Sequence, residues 1–273
     1  MPAARALAAA AVLAVAAAPR LGAAIDRFEI QVYQSDINEP GQFGLETHLN
    51  YTFQGTKTPE FPGQVPPYHV GRVTFEPAIG VTEWLELGAY LQLFWAPNDG
   101  QNTRFGGWKA RAKLVVPERI RGRLLLGLNL ELSQVPSAIE QDRWANELRP
   151  IIGWKEGRWL VSVNPIFGWT LTGPDRFRPD LEPCGKVAFD TLLGFSVGVE
   201  YYTSLGFAND LLPVDQQEHL IFAVVDLVPR AAEPPTGSPA HSAEWELNVG
   251  LGTALTNAPG PHLLAKAIVG RSF

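Results

Sequence analysis

The chain has 273 residues, a formal charge of −6, one cysteine and 46% hydrophobic residues. A lone cysteine, Cys184, excludes an internal disulfide framework, and an acidic balance with no basic block argues against a nucleic-acid partner. The length suits one or two soluble domains as well as a membrane barrel, so the patterning along the chain must decide.

Residues 1–24 read as a signal peptide. Arg5 precedes the apolar stretch LAAAAVLAVAAA, and Gly22 and Ala24 meet the small-residue rule for cleavage before Ile25. The apolar run is short for a bilayer-spanning helix of about 20 residues, and Arg20 stands just beyond it. Removing these residues takes away Arg5 and Arg20 and moves the formal charge from −6 to −8. Residues 25–41 are set apart as an N-terminal segment. Phe28, Ile30 and Val32 alternate there as one short strand. Its parity is wrong for a closed barrel with both ends on one side, so it is expected outside the barrel or tucked into its mouth.

From residue 42 to 273 the apolar period is two. Phe43, Leu45, Leu49, Tyr51 and Phe53 share one face, against Glu46, His48 and Asn50. The same alternation sets Leu85, Leu87, Ala89, Leu91 and Leu93 against Glu86, Gly88, Tyr90 and Gln92, and Trp108, Ala110, Ala112 and Leu114 against Lys109, Arg111 and Lys113. It is clearest in Leu124, Leu126, Leu128, Leu130 and Leu132, and recurs in Trp245, Leu247, Val249 and Leu251. A helix would scatter these leucines, whereas a strand gathers them into one row.

Alternation alone does not say which face is wet; three features favour lipid on the leucine face. The strands run to about ten residues, as membrane-spanning strands require. Lys109, Arg111 and Lys113 in one row suit a hydrated interior. Tryptophans sit at strand ends, with Trp84, Trp154, Trp159 and Trp245 at one set of turns and Trp95, Trp108 and Trp169 toward the other. That is the placement of interfacial girdles; Trp144 is expected inside a loop.

Connections alternate short (VTEW, PERIRG, WKEG, DTLL) and long (GTKTPEFPGQVPPY, PNDGQNTR, QVPSAIEQDR, TGPDRFRP, SLGFANDLLPVDQQ). Short periplasmic turns and longer outer loops are the pattern of a transmembrane barrel. The long, proline-rich VPRAAEPPTGSPAHS falls on the short-turn side and breaks it. The fold expected is therefore all-β, a transmembrane antiparallel up-and-down barrel of about 12 strands, with 14 as the alternative.

The last strand closes on Phe273, with Leu263, Ala265, Ala267 and Val269 on its face and Arg271 interrupting the row. A terminal phenylalanine of this kind resembles the assembly signal of bacterial outer-membrane proteins. It implies the outer-membrane assembly machinery as a partner, beside membrane lipid. Residues 28–55, FEIQVYQSDINEPGQFGLETHLNYTFQG, resemble the opening of a family of transporter-like proteobacterial outer-membrane barrels related to the phenol-degradation MetA-pathway barrels. The resemblance implies a bacterial outer-membrane location and a transport role with the solute unassigned.

Little in the chain points to catalysis. AHSAEWE offers His241, Ser242 and Glu244, but adjacent strand residues point to opposite faces and the stretch falls at a turn. Asp99, Asp142, Asp175 and Asp210 lie in outer loops without a histidine at matching spacing, and no zinc spacing or phosphate-cradling motif occurs. No cofactor, no metal and no enzymatic activity are expected. The remaining candidates share the polar strand faces: Arg72, Glu76, Lys109, Arg111, Lys113, Glu131, Glu147, Arg149, Lys186 and Glu200. They would either line a pore or form an internal ion-pair network. The expected function is passive passage of small solutes through a charged lumen, with a lipid-acting barrel enzyme and a plugged structural barrel as the alternatives.

Overall fold

The computed structural model describes residues 25–96, 102–227 and 245–273. The expected signal peptide, the link VPRAAEPPTGSPAHS, and His241, Ser242, Glu244 and Asp99 lie outside the described residues. In chain order the first strands are β1 (Phe43–Gly55), β2 (Val70–Thr82), β3 (Leu85–Trp95) and β4 (Arg104–Val115). A single helical turn, Glu118–Arg121, then leads to β5 (Leu124–Gln134), β6 (Trp144–Glu156), β7 (Trp159–Asn164) and β8 (Phe167–Thr170). The second half comprises β9 (Asp180–Leu181), β10 (Cys184–Asp190), β11 (Phe195–Ser204), β12 (Gly206–Phe207), β13 (Asp210–Leu211), β14 (Glu218–Leu227), β15 (Trp245–Ala254) and β16 (Pro261–Ser272).

All pair antiparallel, and the sheet closes because β1 pairs with β16 and β6 with β7 as well as with β5 and β8. Twelve wall strands result, since β7 with β8, β9 with β10 and β11 with β12 are each one strand with a break, while β13 only folds back on β12. Two breaks coincide with Pro165 and Pro183, which have no N–H to give to the ladder. Closure leaves no backbone edge facing hydrocarbon, where each unpaired group costs several kcal/mol.

The burial pattern is that of a membrane barrel turned inside out relative to a soluble domain. Leu49, Leu91, Leu130 and Leu251 on the outer face are exposed, at 43%, 46%, 40% and 57%, while His48, Thr74 and Asn129 on the inner face are at 0%. Trp84, Trp154, Trp159 and Trp245 are exposed at the short-turn rim. At the long-loop rim Trp108 meets Trp144 edge-on, ring centroids 5.8 Å apart. Trp144 is thus not a loop residue. It opens β6 opposite Gln134 and belongs to the outer girdle. At the seam the Phe273 N–H donates to the Phe43 carbonyl at 2.7 Å, and Arg271 lies 4.9 Å from the centroids of both Trp245 and Phe273. Its guanidinium is held on aromatic faces at the interface, where a charged head reaches water.

Residues 25–41 depart from expectation. They form no strand, apart from an isolated parallel bridge between Pro40 and Gly80, and they lie neither outside the barrel nor only at its mouth. Extended chain enters at the short-turn rim and runs up the lumen to the long-loop rim. Gly80 permits the close passage, because a Cβ there would stand 2.2 Å from the Asn38 and Glu39 carbonyl oxygens. Higher up, a Cβ on Gly106 would stand 2.7 Å from the Phe28 ring. The alternation seen in the sequence is real but serves two walls. Ile30 and Val32 pack on Leu220, Phe222, Val224 and Leu264, while Phe28 packs with Val70, Phe94 and Ala138.

Leu130 sits mid-strand on the lipid face, opposite Ala112 and Leu148. Leu130→Arg is expected to destabilise the folded barrel by about 2–4 kcal/mol, the cost of a cation near the bilayer midplane. Reversible denaturant unfolding in lipid vesicles measures it.

Candidate functional site

The lumen is the site, and its wall strands position the charged side chains by simple alternation. All ten charged residues singled out in the sequence lie on the inner face: Arg72, Glu76, Lys109, Arg111, Lys113, Glu131, Arg149, Lys186 and Glu200 are buried, and Glu147 lines the upper chamber. Much of the space between them is taken up by the N-terminal segment. Several of them meet the N-terminal segment.

Lys109 is the densest contact. Its Nζ lies 2.5 Å from Asp26 and 3.1 Å from Glu29 of the segment, and 2.8 Å from Glu131 of the wall. Arg149 donates through Nε to Glu147 at 2.6 Å, and its Nη1 lies 3.7 Å from Glu29 and 3.4 Å from the Gln31 carbonyl. Lys113 donates to the Asp36 carbonyl at 2.7 Å. The Arg72 guanidinium lies 5.6 Å from the Phe28 ring centroid. The other charges pair along the wall. Arg111 bridges Glu76 and Glu86 at 2.9 and 2.8 Å, and Glu200 is held by Lys186 at 3.1 Å and by Lys266.

Tyr33 anchors the segment at the waist. Its N–H donates to Asn164 Oδ1 at 2.6 Å, and its carbonyl accepts from Ser162 Oγ at 2.8 Å and Asn164 Nδ2 at 3.1 Å. Its hydroxyl donates to Glu29 and lies 2.6 Å from the Tyr90 hydroxyl. The Arg149 guanidinium covers its ring at 4.4 Å. Further up, Asn50 Nδ2 donates to the Arg27 and Phe28 carbonyls, both at 3.1 Å, and Lys266 to the Ile30 carbonyl at 2.9 Å. At the lower end the Asn38 N–H and Nδ2 donate to Glu86 at 2.8 and 2.7 Å. An extended segment has no ladder partner of its own, so its buried backbone groups need these side chains.

Two larger chambers remain among the described residues. One, of about 200 Å³ at the long-loop rim, is lined by Ile25, Phe28, Phe61, Glu140, Trp169 and Glu182 among others. The other, of about 360 Å³ at the short-turn rim, includes Asn38, Glu46, Glu86, Lys113 and Glu246. The layer of Glu29, Tyr33, Tyr90 and Arg149 lies between them. Burial pushes the Glu140 carboxyl in the upper chamber to about 7, with Arg27 acting in the opposite sense.

Among the described residues, Glu46, His48 and Glu76 could bring ligand atoms within 4.8 Å of one another for a cation. The set is already committed, since His48 Nε2 lies 3.0 Å from Glu76 Oε2 and Arg111 is on the other Glu76 oxygen. Tyr33, Asn164, Ser162 and Lys266 were not singled out in the sequence. A tyrosine, an asparagine and a serine without a motif give no signal until the segment that unites them is in place.

No protein-family model matches the sequence, and no curated protein matches it. Solved structures do. An outer membrane channel from Pseudomonas putida F1 is 13% identical with a TM-score of 0.55, the match covering 90% of this chain and 100% of that one. A KdgM porin in complex with disordered oligogalacturonate is 11% identical with a TM-score of 0.48, over 84% of this chain and 98% of its own. The Pseudomonas putida toluene transporter TodX is 10% identical with a TM-score of 0.43, over 86% and 90%. The first of these shares the barrel fold over 90% of this chain.

Lys109→Met leaves Asp26, Glu29 and Glu131 without their shared cation, and is expected to cost about 3–5 kcal/mol, as breaking a buried pair does. Urea unfolding in vesicles measures it, and Lys109→Arg is expected to recover most of the loss. Glu140 gives a pH dependence. Its carboxyl, ordinarily near 4.5, sits at about 7 in the folded chain, so its stabilising contribution is fully present below 4.5 and is lost as pH rises through 7. The stability difference between the wild type and Glu140→Gln is expected to vary across that window and to be flat above it.

Proposed function

We propose that this chain is a passive outer-membrane channel for small solutes that is closed by its own N-terminal segment. The observation that carries the reading is that the lumen is filled by a segment which, among the described residues, joins the wall covalently at residue 42, and not by the wall itself. Glu29, Tyr33 and Asp36 hold wall cations that would otherwise face water. Take the segment away and the two chambers merge along a polar path. A barrel of this size falls between small filled barrels and wide porins, so its conductance depends on what occupies the interior. The channel fold shared with the Pseudomonas putida F1 protein supports the reading.

The signal peptide at 1–24, the assembly role of Phe273 and the bacterial outer-membrane location belong to this proposal. So does kinship with the MetA-pathway barrels, which rests on residues 28–55. A second reading, a plugged structural barrel, is favoured by the number of lumen charges already paired across the interior.

Planar-bilayer recording separates the two. The intact chain is expected to show small or intermittent conductance, and a chain lacking residues 25–37 a stable conductance several-fold larger. A truncated barrel that inserts and folds, judged by heat-modifiable gel mobility, yet conducts no ions would reject the channel and leave the structural barrel.

A further inference from the structure

Most of the carboxylates along the lumen wall have a cation beside them. Glu29 and Glu131 have Lys109, Glu76 and Glu86 have Arg111, Glu147 has Arg149, Glu200 has Lys186 and Lys266, and Glu218 has Arg27 at 3.5 Å. Glu182 has none. It is only 8% exposed, and its Oε1 finds no hydrogen-bond partner. The charges that act on it most strongly are other carboxylates, those of Glu147, Asp180, Glu140 and Asp26. It lies in the wall break beside Pro183, and its N–H donates to the Ile166 carbonyl at 3.0 Å, which fixes the backbone that carries it. An unpaired buried carboxylate among like charges is costly unless a positive group meets it.

Ile25 is the neighbour that could meet it. Its side chain is 7% exposed and packs with Ile30, Ile166 and Tyr202. Ile25 and Glu182 both line the chamber at the long-loop rim. They also face a second, small cavity of about 20 Å³ together with Glu147, Arg149 and Thr203. In the uncleaved chain the Ile25 nitrogen is a neutral peptide N–H. Hydrolysis of the Ala24–Ile25 bond by a leader peptidase adds one water. The hydroxyl goes to the Ala24 carbonyl carbon and the protons to the Ile25 nitrogen, giving a carboxylate on one fragment and an α-ammonium with three donors on the other.

We propose that this α-ammonium is the counter-charge of Glu182, and that the ion pair locks the free end of the N-terminal segment into the lumen. Export processing thereby completes the closure, and the segment is pinned at both ends, covalently at residue 42 and ionically at Ile25. The proposal rests on cleavage before Ile25 but not on the channel reading, because its test uses no conductance.

The exported protein, purified folded from outer membranes, is the material for the test. Intact-mass and N-terminal sequencing are expected to give Ile25 as the first residue; any other first residue overturns the proposal. The folded protein is then treated near neutral pH with a limiting amine-acylating reagent, and labelling of the α-amine is read by mass spectrometry. The wild type is expected to label slowly. Glu182→Gln is expected to label about tenfold faster, the change in free-amine fraction that one pKa unit makes, while labelling of Lys109 and Lys266 stays unchanged. Equal α-amine labelling in both proteins overturns the proposal, as does a gain spread equally over the lysines, which would report loosened packing. A glycine inserted between Ala24 and Ile25 reads the contact from the other side and keeps the test open if Glu182→Gln fails to assemble. Its displaced α-amine is expected to label at the rate of the unfolded chain, and wild-type protection would overturn the proposal.

Discussion

The structure depends on one constraint, that no backbone N–H or C=O can face hydrocarbon unpaired. From this follows the closure of the sheet, which all-antiparallel pairing makes even-stranded, and from closure follows an interior that the membrane does not touch. Period-two alternation then sends every second side chain inward. Because the outward rows are spent on apolar contact with lipid, the inward rows carry the charges. A closed polar interior must be filled with water or with something equally polar. Here residues 25–37 supply most of the filling.

The segment suits that task because its two sides differ. Ile30 and Val32 lie against the apolar wall of β14 and β16, whereas Glu29 and Tyr33 face Lys109, Tyr90 and Arg149 on the opposite wall. The apolar contacts favour occupancy with little directional preference, and the ionic and amide contacts at Tyr33 and Asn38 set the register. Buried ion pairs are weak evidence of net stability, because desolvation offsets much of their attraction. Their contribution here is to specify which residue of the segment stands at which level of the barrel.

Much of the barrel was legible because one rule, alternation, repeats in every strand. The leucine row of β5, the basic row of β4 and the short turns at Thr82–Leu85 and Glu156–Trp159 needed nothing but period and loop length. Trp144 was misplaced because it stands at a strand end beside polar residues, where the pattern fades. The lumen charges could be picked out by face, but not their pairing, because contacts such as Lys109 with Glu29 and Arg149 with Glu29 join residues far apart in the chain. The course of residues 25–41 was hidden for a related reason. Phe28, Ile30 and Val32 carry a strand's pattern, but the segment has no neighbouring strand, so its alternation records two unlike walls. Gly80 and Gly106 were the available hints, small residues on a crowded inner face.

The seam between β1 and β16 carries a consequence for how the molecule is made. Leu49 faces Ala267 there, so the pairing that seals the cylinder joins the two ends of the chain and must wait for everything between them. The tether of the segment at residue 42 adjoins that same seam. Further along, the segment is fixed to other strands, through Tyr33 to Ser162 and Asn164 and through Ile30 to Lys266. A one-residue slip of β1 along β16 would therefore shift the root of the segment against all of those anchors, so the closing pair and the occupant of the lumen share one register.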